Sequence, residues 1–357
     1  MRRWLIVAVL FALVGGGVAL VRGDVPCELL ALQPSCEVVL RPGPAEDSLA
    51  LIEVSGAPTY PSAGELRLTT VAVDDDLDLQ EWLRARTSDA VEAVPRETVF
   101  PPGADREEVA EQNAALMTDS QQTATVVALE ALGYELDERG ARVAAVASDA
   151  VTDEFAQGDV IVAVDDDEVA DSAAVVAAVQ AREPGERLSF EVVAPDGGHR
   201  QVIVDLGGAP DDPSRAYVGV LLTTDLDLPV DVRIDAGIIG GPSAGLMFAL
   251  SIVELLGEDD VTGGALVAGT GTVARDGSVG PVGGVRQKLL GATVGGDDGP
   301  SAVFLVPRGN LDDTQGAPVA NDVLVVPVDT LDQALAVLED LRAGQEPADA
   351  VALQARG

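Results

Sequence analysis

The stretch "GALVAGTGTVARDGSVGPVGGVRQKLLGATV", residues 264–294, contains the single lysine of a 357-residue chain in which every other basic residue is arginine. Residues 265–274 read as a strand, Asp276 and Gly277 as a turn, and residues 279–282 as a short return strand. Gly284 then opens a helix. Within it Val285, Lys288, Leu289 and Ala292 fall at i, i+3, i+4 and i+7, one helical face, while Arg286 and Gln287 point away. A lysine on an apolar face is unusual unless its stem snorkels or its amine works. Desolvation disfavours the ammonium, and a fall from ~10.4 to about 7–8 corresponds to roughly 4 kcal/mol. Such an amine can accept a proton near neutral pH, which a guanidinium cannot. The alternative at this point is an amphipathic surface lysine.

A second stretch, "DAGIIGGPSAGLMFALSIVELLG" (residues 235–257), places Ser243 at the start of a helix. Gly241 suits the cap, Pro242 the first helical position and Gly257 the stop. Glycines on both sides allow close approach of backbone to a bound group, and free first-turn N–H groups can stabilise an oxyanion. Taken alone, a Gly/Pro turn with a capping serine explains the same letters.

Composition removes other chemistries. Sixty acids against 22 bases give a net charge of −38, a surface that repels nucleic acid. One histidine and two cysteines do not make an ordinary His/Cys metal site. His199, in "APDGGHR", reads as an exposed turn residue rather than a member of a Ser-His-Asp triad. No G-x-x-x-x-G-K-[ST] loop signals ATP hydrolysis, and no cofactor is implied.

At the amino terminus, Arg2 and Arg3 precede an uncharged run from Trp4 to Val21. At ~1.5 Å per residue it spans about 27 Å, close to the hydrocarbon thickness. The flanking arginines favour a cytoplasmic N-terminus and an extracytoplasmic remainder. Residues 1–22 therefore read as a single-pass anchor in preference to a cleaved signal peptide. Gly17, Val18 and Ala19 form only a weak small-x-small site, and no lipobox precedes Cys27. Cys27 and Cys36 lie just beyond the anchor, either bonded to each other or as two thiols.

Between anchor and serine, residues 23–136 read as an intermediate α/β region with a strand in "GELRLTTVAV" and a helix over 105–132. Residues 137–207 alternate strand, short helix, hairpin, helix (172–181) and two strands. Residues 208–215 are a turn-rich linker, 216–344 the domain carrying Ser243 and Lys288, and 345–357 a flexible tail.

"GDVIVAVDDDEV", followed by a helix and "PGERLSFEVV", resembles a bacterial PDZ domain. That likeness implies binding of extended peptides at a sheet edge, expected near Ala141, Val143 and Val146, beside the 172–181 helix. A small α/β spacer with an unused groove is the competing reading. With both the serine and lysine stretches in view, the C-terminal domain resembles the Lon proteolytic domain of peptidase family S16. "GGPSAGLMFAL" matches its serine motif and "GTGTVARDGSVGPVGGVRQKLLGA" its lysine motif. The resemblance implies a Ser-Lys dyad with Ser243 as nucleophile and Lys288 as general base. Thr270, Gly241 and Ala244 are implied as supporting residues. The family often has a Lys-Asp pair ahead of "GPSAG" where this chain has Ile239 and Gly240. The layout as a whole resembles the bacterial membrane-anchored PDZ–Lon proteases: an α+β multidomain chain acting as an ATP-independent serine endopeptidase on unfolded or membrane-proximal proteins. Ring assembly is common for such domains, so a homo-oligomer is among the implied partner states. Two rivals stand beside this reading. A signal peptidase would place its serine close behind the anchor, not more than 200 residues beyond it. A PDZ scaffold with an idle Lon-like domain would lack activity.

Overall fold

The computed structural model describes residues 36–77, 79–101, 106–148, 150–210, 212–295 and 299–355. The anchor expected over 1–22 and Cys27 lie outside them. Among the described residues no helix is long and apolar enough to cross a membrane. Cys36 is disulfide-bonded, so the two-thiol alternative is set aside. The α-helices are α1 (Leu79–Ala85), α2 (Arg106–Ala131), α3 (Ser172–Gln180), α4 (Gly245–Leu256), α5 (Val285–Val294) and α6 (Leu331–Arg342).

The chain divides into two compact units, one formed by residues up to Gly133 together with those from Val230 onward, the other by Tyr134–Pro229. This differs from the sequence expectation of a separate region over 23–136. The larger unit is built on one seven-stranded sheet. Its order is Val351–Leu353, Val323–Val328, Val303–Pro307, Leu266–Gly269, Glu65–Asp74, Glu37–Asp47 and Glu92–Pro95. Leu266–Gly269 is parallel to both of its neighbours, Glu65–Asp74 and Val303–Pro307. Segments from the two ends of the chain are therefore joined in one ladder. Strand Val303–Pro307 is buried at every position, as a parallel strand covered on both faces requires.

Successive residues of a strand face opposite sides of the sheet. Ala268 joins the apolar cluster of Val285 and Leu289 on α5. At its neighbour Gly269 a Cβ would come within 2.7 Å of Met247 Sδ on α4. The serine helix and the lysine helix thus cover opposite faces of the same strand. Helix α4 is buried nearly all round, with Leu246, Met247, Phe248, Leu250 and Ile252 fully buried. Each such side chain contributes about 1.5–3 kcal/mol by leaving water. The expected flexible tail is also partly paired: Val351–Leu353 adds antiparallel to Val323–Val325, closing one edge of the sheet with a short strand.

The smaller unit is a sheet ordered Val220–Asp227, Asp137–Val146, Val160–Val164, Arg187–Val193 and His199–Asp205, with Asp167–Glu168 folded back on Val160–Val164. Helix α3 packs on it over a core containing Val175, Val179, Phe155 and Phe190. The two phenyl rings meet edge-to-face at 5.5 Å. Asp171 caps α3, accepting from Ala174 N at 2.7 Å. Residues 216–229 were expected to open the proteolytic domain. Instead Val220–Asp227 pairs along Asp137–Val146. The 208–215 linker is a closed loop, because Gly207–Gly208 pairs with Ala216–Tyr217. His199 begins a strand rather than sitting in the turn, and its exposed ring lies 3.4 Å from Glu191 Oε1.

Candidate active site

Ser243 is half-buried ahead of α4, which begins two residues after it, at Gly245, with Ala244 as N-cap. The expected helix start at Pro242 is displaced because Gly241 takes a left-handed φ of +84°. The chain then makes a tight turn through Pro242 and Ser243, closed by Gly245 N donating to Pro242 O at 3.4 Å. The 270–271 segment holds the end of that turn. Gly271 N (2.9 Å) and Thr270 Oγ1 (3.0 Å) both donate to Ser243 O, and Leu246 N donates to Gly271 O at 3.1 Å. Among the described residues, the amides of Ser243 and Ala244 make no hydrogen bond. The sequence reading expects oxyanion donors in the first helical turn, and these two unbonded amides lie just before it.

Lys288 lies on α5, 4% exposed, as its place on the apolar stripe predicts. Its Nζ donates to Thr270 Oγ1 at 3.0 Å. Thr270 is fully buried and donates its own hydroxyl proton to Ser243 O, so one hydroxyl links the lysine to the serine backbone. Ser243 Oγ itself makes no hydrogen bond among the described residues, to Lys288 or to any other group. Burial pushes the Lys288 amine down from 10.5 to about 8, because a neutral hydroxyl does not replace the hydration of an ammonium. The structure therefore brings together Ser243, Ala244, Thr270 and Lys288, with Gly241 supplying the turn. One neighbour departs from expectation. Gln287, predicted to point away, is fully buried and donates from Nε2 to Glu92 Oε2 at 3.2 Å. Helix α5 is covered beyond its apolar stripe, where Gln287 meets the Glu92–Pro95 edge strand.

In the smaller unit the expected peptide-accepting residues are not at an edge. Ala141 and Val143 are fully buried, and their strand is hydrogen-bonded to Val220–Asp227 on one side and Val160–Val164 on the other. Val146 is paired with Val220. The open edge beside α3 belongs to Val220–Asp227. Between them lies an apolar cavity of about 170 Å³ lined by Phe155, Val175, Val179, Phe190, Val218 and Leu222, among others. Sequence reading missed this strand, although "YVGVLLTTDLD" follows a turn-rich stretch and is rich in β-branched residues.

Comparison with known proteins gives the same two domain types. Residues 224–340 match the Lon protease (S16) C-terminal proteolytic domain, and residues 120–206 match the PDZ domain. The stretch that carries Ser243 and Lys288 is therefore similar to a Lon-type (S16) proteolytic domain. The PDZ match begins within α2 and continues into the smaller unit, while the Lon match begins within strand Val220–Asp227 and continues into the larger one. The Lon protease of Rickettsia bellii is 35% identical over 113 residues, covering 30% of this chain and 14% of the relative. That of Rickettsia felis is 33% identical over 166 residues, covering 42% of this chain and 21% of the relative. The chain thus spans about a fifth or less of the length of these curated relatives. The PDZ domain of an SdrC-like protein from Listeria monocytogenes is 17% identical, covering 24% of this chain and 87% of that domain, with a TM-score of 0.22.

Proposed function

We propose that this protein is an ATP-independent serine endopeptidase in which Ser243 and Lys288 form the catalytic dyad. The observation that carries this reading is the chain's single lysine, buried, lowered to about 8, and tied through Thr270 to the backbone of Ser243. At pH 7 about a tenth of such an amine is neutral. With Ser243 Oγ turned to Nζ, Lys288 takes the hydroxyl proton and Oγ attacks a peptide carbonyl. The Ser243 and Ala244 amides receive the oxyanion. Lys288 then returns its proton to the leaving amine as the C–N bond breaks; water, giving a proton to the same Nζ, attacks the acyl-enzyme, and Nζ passes that proton to Ser243 Oγ as the ester bond breaks.

The PDZ domain supplies extended peptide segments, which add to the open edge of Val220–Asp227 and place an apolar side chain in the cavity against α3. Residues 1–22 anchor the chain in the membrane with the N-terminus cytoplasmic and both domains outside. The disulfide at Cys36 supports an oxidising compartment. Substrates are unfolded or membrane-proximal proteins, whose extended segments can add to a sheet edge without prior unfolding.

One observation favours the scaffold alternative: Ser243 Oγ and Lys288 Nζ are not hydrogen-bonded in this structure. A fluorophosphonate serine probe separates the readings. Labelling of the wild type that is lost in both Ser243→Ala and Lys288→Arg supports the dyad. Equal labelling of all three sinks it. A wild type that neither labels nor cleaves unfolded casein points to the scaffold.

A further inference from the structure

Helix α2 reaches the serine from the far side of the smaller unit in sequence. Ser120, midway along α2, is 5% exposed, and its Oγ donates to Pro242 O at 3.1 Å. Seven residues earlier on the same helix face, Asn113 O accepts from Gly241 N at 2.9 Å. Gly245 fits the close approach. A Cβ there would lie 2.8 Å from Ser120 Oγ and 3.1 Å from Val273 N, so a side chain at 245 would push the loop off the helix.

A serine is a weaker helix former than alanine, and a buried hydroxyl costs free energy unless it is bonded. Here the hydroxyl bypasses its own helix and bonds the residue preceding the nucleophile. The chain has no cis peptide bonds among the described residues, so the Pro242–Ser243 peptide is a trans plane. The C=O of Pro242 and the N–H of Ser243 then point in opposite directions. Fixing that oxygen on α2 fixes the direction of the Ser243 N–H. The next peptide is fixed in the same manner: Thr270 Oγ1 and Gly271 N hold Ser243 O, and so aim the Ala244 N–H.

We propose that Ser120 is a positioning residue for the reaction, orienting the Ser243 amide as an oxyanion donor through the Pro242 carbonyl. The proposal rests on the Ser243–Lys288 reading. It assigns to α2, the helix of the larger unit that precedes the smaller one in sequence, a part in the active site that neither sequence motif contains. Loss of one neutral hydrogen bond that acts only through geometry corresponds to about a tenfold effect. Deleting an oxyanion donor outright is larger, on the order of 10²–10³ in kcat.

The test uses the full-length chain and an internally quenched peptide taken from a casein cleavage site. Ser120→Ala is expected to lower kcat about tenfold with KM unchanged, and to leave the pH midpoint of the rate in place because Lys288 is untouched. It should weaken a peptide boronate, whose tetrahedral adduct on Ser243 carries the oxyanion oxygen, by a similar factor. Ser120→Cys, close in volume but a poor donor, should show the same pattern, and it decides the question if the alanine variant folds poorly. A folded variant with kcat and boronate affinity within about twofold of wild type overturns the proposal. So does a loss of kcat accompanied by a shifted pH midpoint and a raised KM, the signature of a generally loosened site. Ser243→Ala is the control that tells the two levels apart. If it abolishes cleavage while Ser120→Ala does not impair it, only the positioning role fails. If Ser243→Ala cleaves normally, the dyad and the positioning role fall together.

Discussion

Replacing Lys288 by methionine should make the protein more stable, although it destroys the proposed activity. Lys288 is 4% exposed, its amine is lowered from 10.5 to about 8 by burial, and its one hydrogen-bond partner is the uncharged Thr270. The drop of about 2.5 units, at 1.36 kcal/mol per unit, corresponds to roughly 3 kcal/mol of penalty in the native state when the amine is protonated in both states. Below about pH 8 the folded protein carries that penalty in full. Between about 8 and 10.5 the unfolded chain binds the proton and the folded chain does not. Stability therefore rises with pH through this window, and above it the penalty is gone. Methionine fills a similar volume without a charge, and Thr270 keeps its bond to Ser243 O. Lys288→Met should thus gain about 2–3 kcal/mol at pH 7, a gain that shrinks toward zero by pH 10. Urea denaturation followed by tryptophan fluorescence reads the correct unit, since Trp82 lies in α1 of the larger one. A variant no more stable than wild type at pH 7, or a difference that stays constant to pH 10, would refute the claim that desolvation depresses this amine.

The pH–rate profile of kcat/KM should rise through a midpoint near 8, the lowered value of Lys288, and Lys288→Arg should be inactive at every pH; a midpoint at the ordinary lysine range contradicts the general-base role. Thr270→Val removes the acceptor of the Lys288 ammonium, so it should cut kcat at least tenfold and move that midpoint below 8, whereas an upward shift would contradict the bonding seen here. In the PDZ domain, Val179→Asp puts a charge into the apolar cavity against α3 and should reduce binding of a hydrophobic C-terminal peptide by at least tenfold in calorimetry while cleavage of a short peptide at the dyad is unchanged. Arg67→Met takes the fully buried guanidinium away from the half-buried Glu65 carboxylate and from Gly299 O, and should cost about 1–3 kcal/mol in the same urea experiment.

Much of the site was legible because its signals are local. Lys288 shares a face with Val285, Leu289 and Ala292 by helical spacing alone, and that face is the buried one. Thr270, Ser243 and Lys288 lie within the two quoted stretches, and all three enter one hydrogen-bonded path. The helix following Ser243 ends at Gly257 as its glycine predicts. Burial of Gln287 was not legible, because its cover comes from Glu92, 195 residues away in sequence. The open edge of the PDZ sheet was misplaced for a similar reason. Alternation shows that residues 137–146 form a strand, but not which strand lies beside it.

Composition and local periodicity by themselves determined the chemistry on offer, namely one lysine amine, one serine turn and a surface hostile to nucleic acid, while the two domain types came from the resemblance of the quoted motifs to known families. The tertiary structure decided which distant segments build the site. Strand Leu266–Gly269 lies between Glu65–Asp74 and Val303–Pro307, and Ser120 meets Pro242 across the whole length in sequence of the smaller unit. Backbone ladders and close helix contacts join whichever surfaces bury the most apolar area. A hydrogen-bonding edge or a single helical hydroxyl carries no mark in the sequence of the partner it will find.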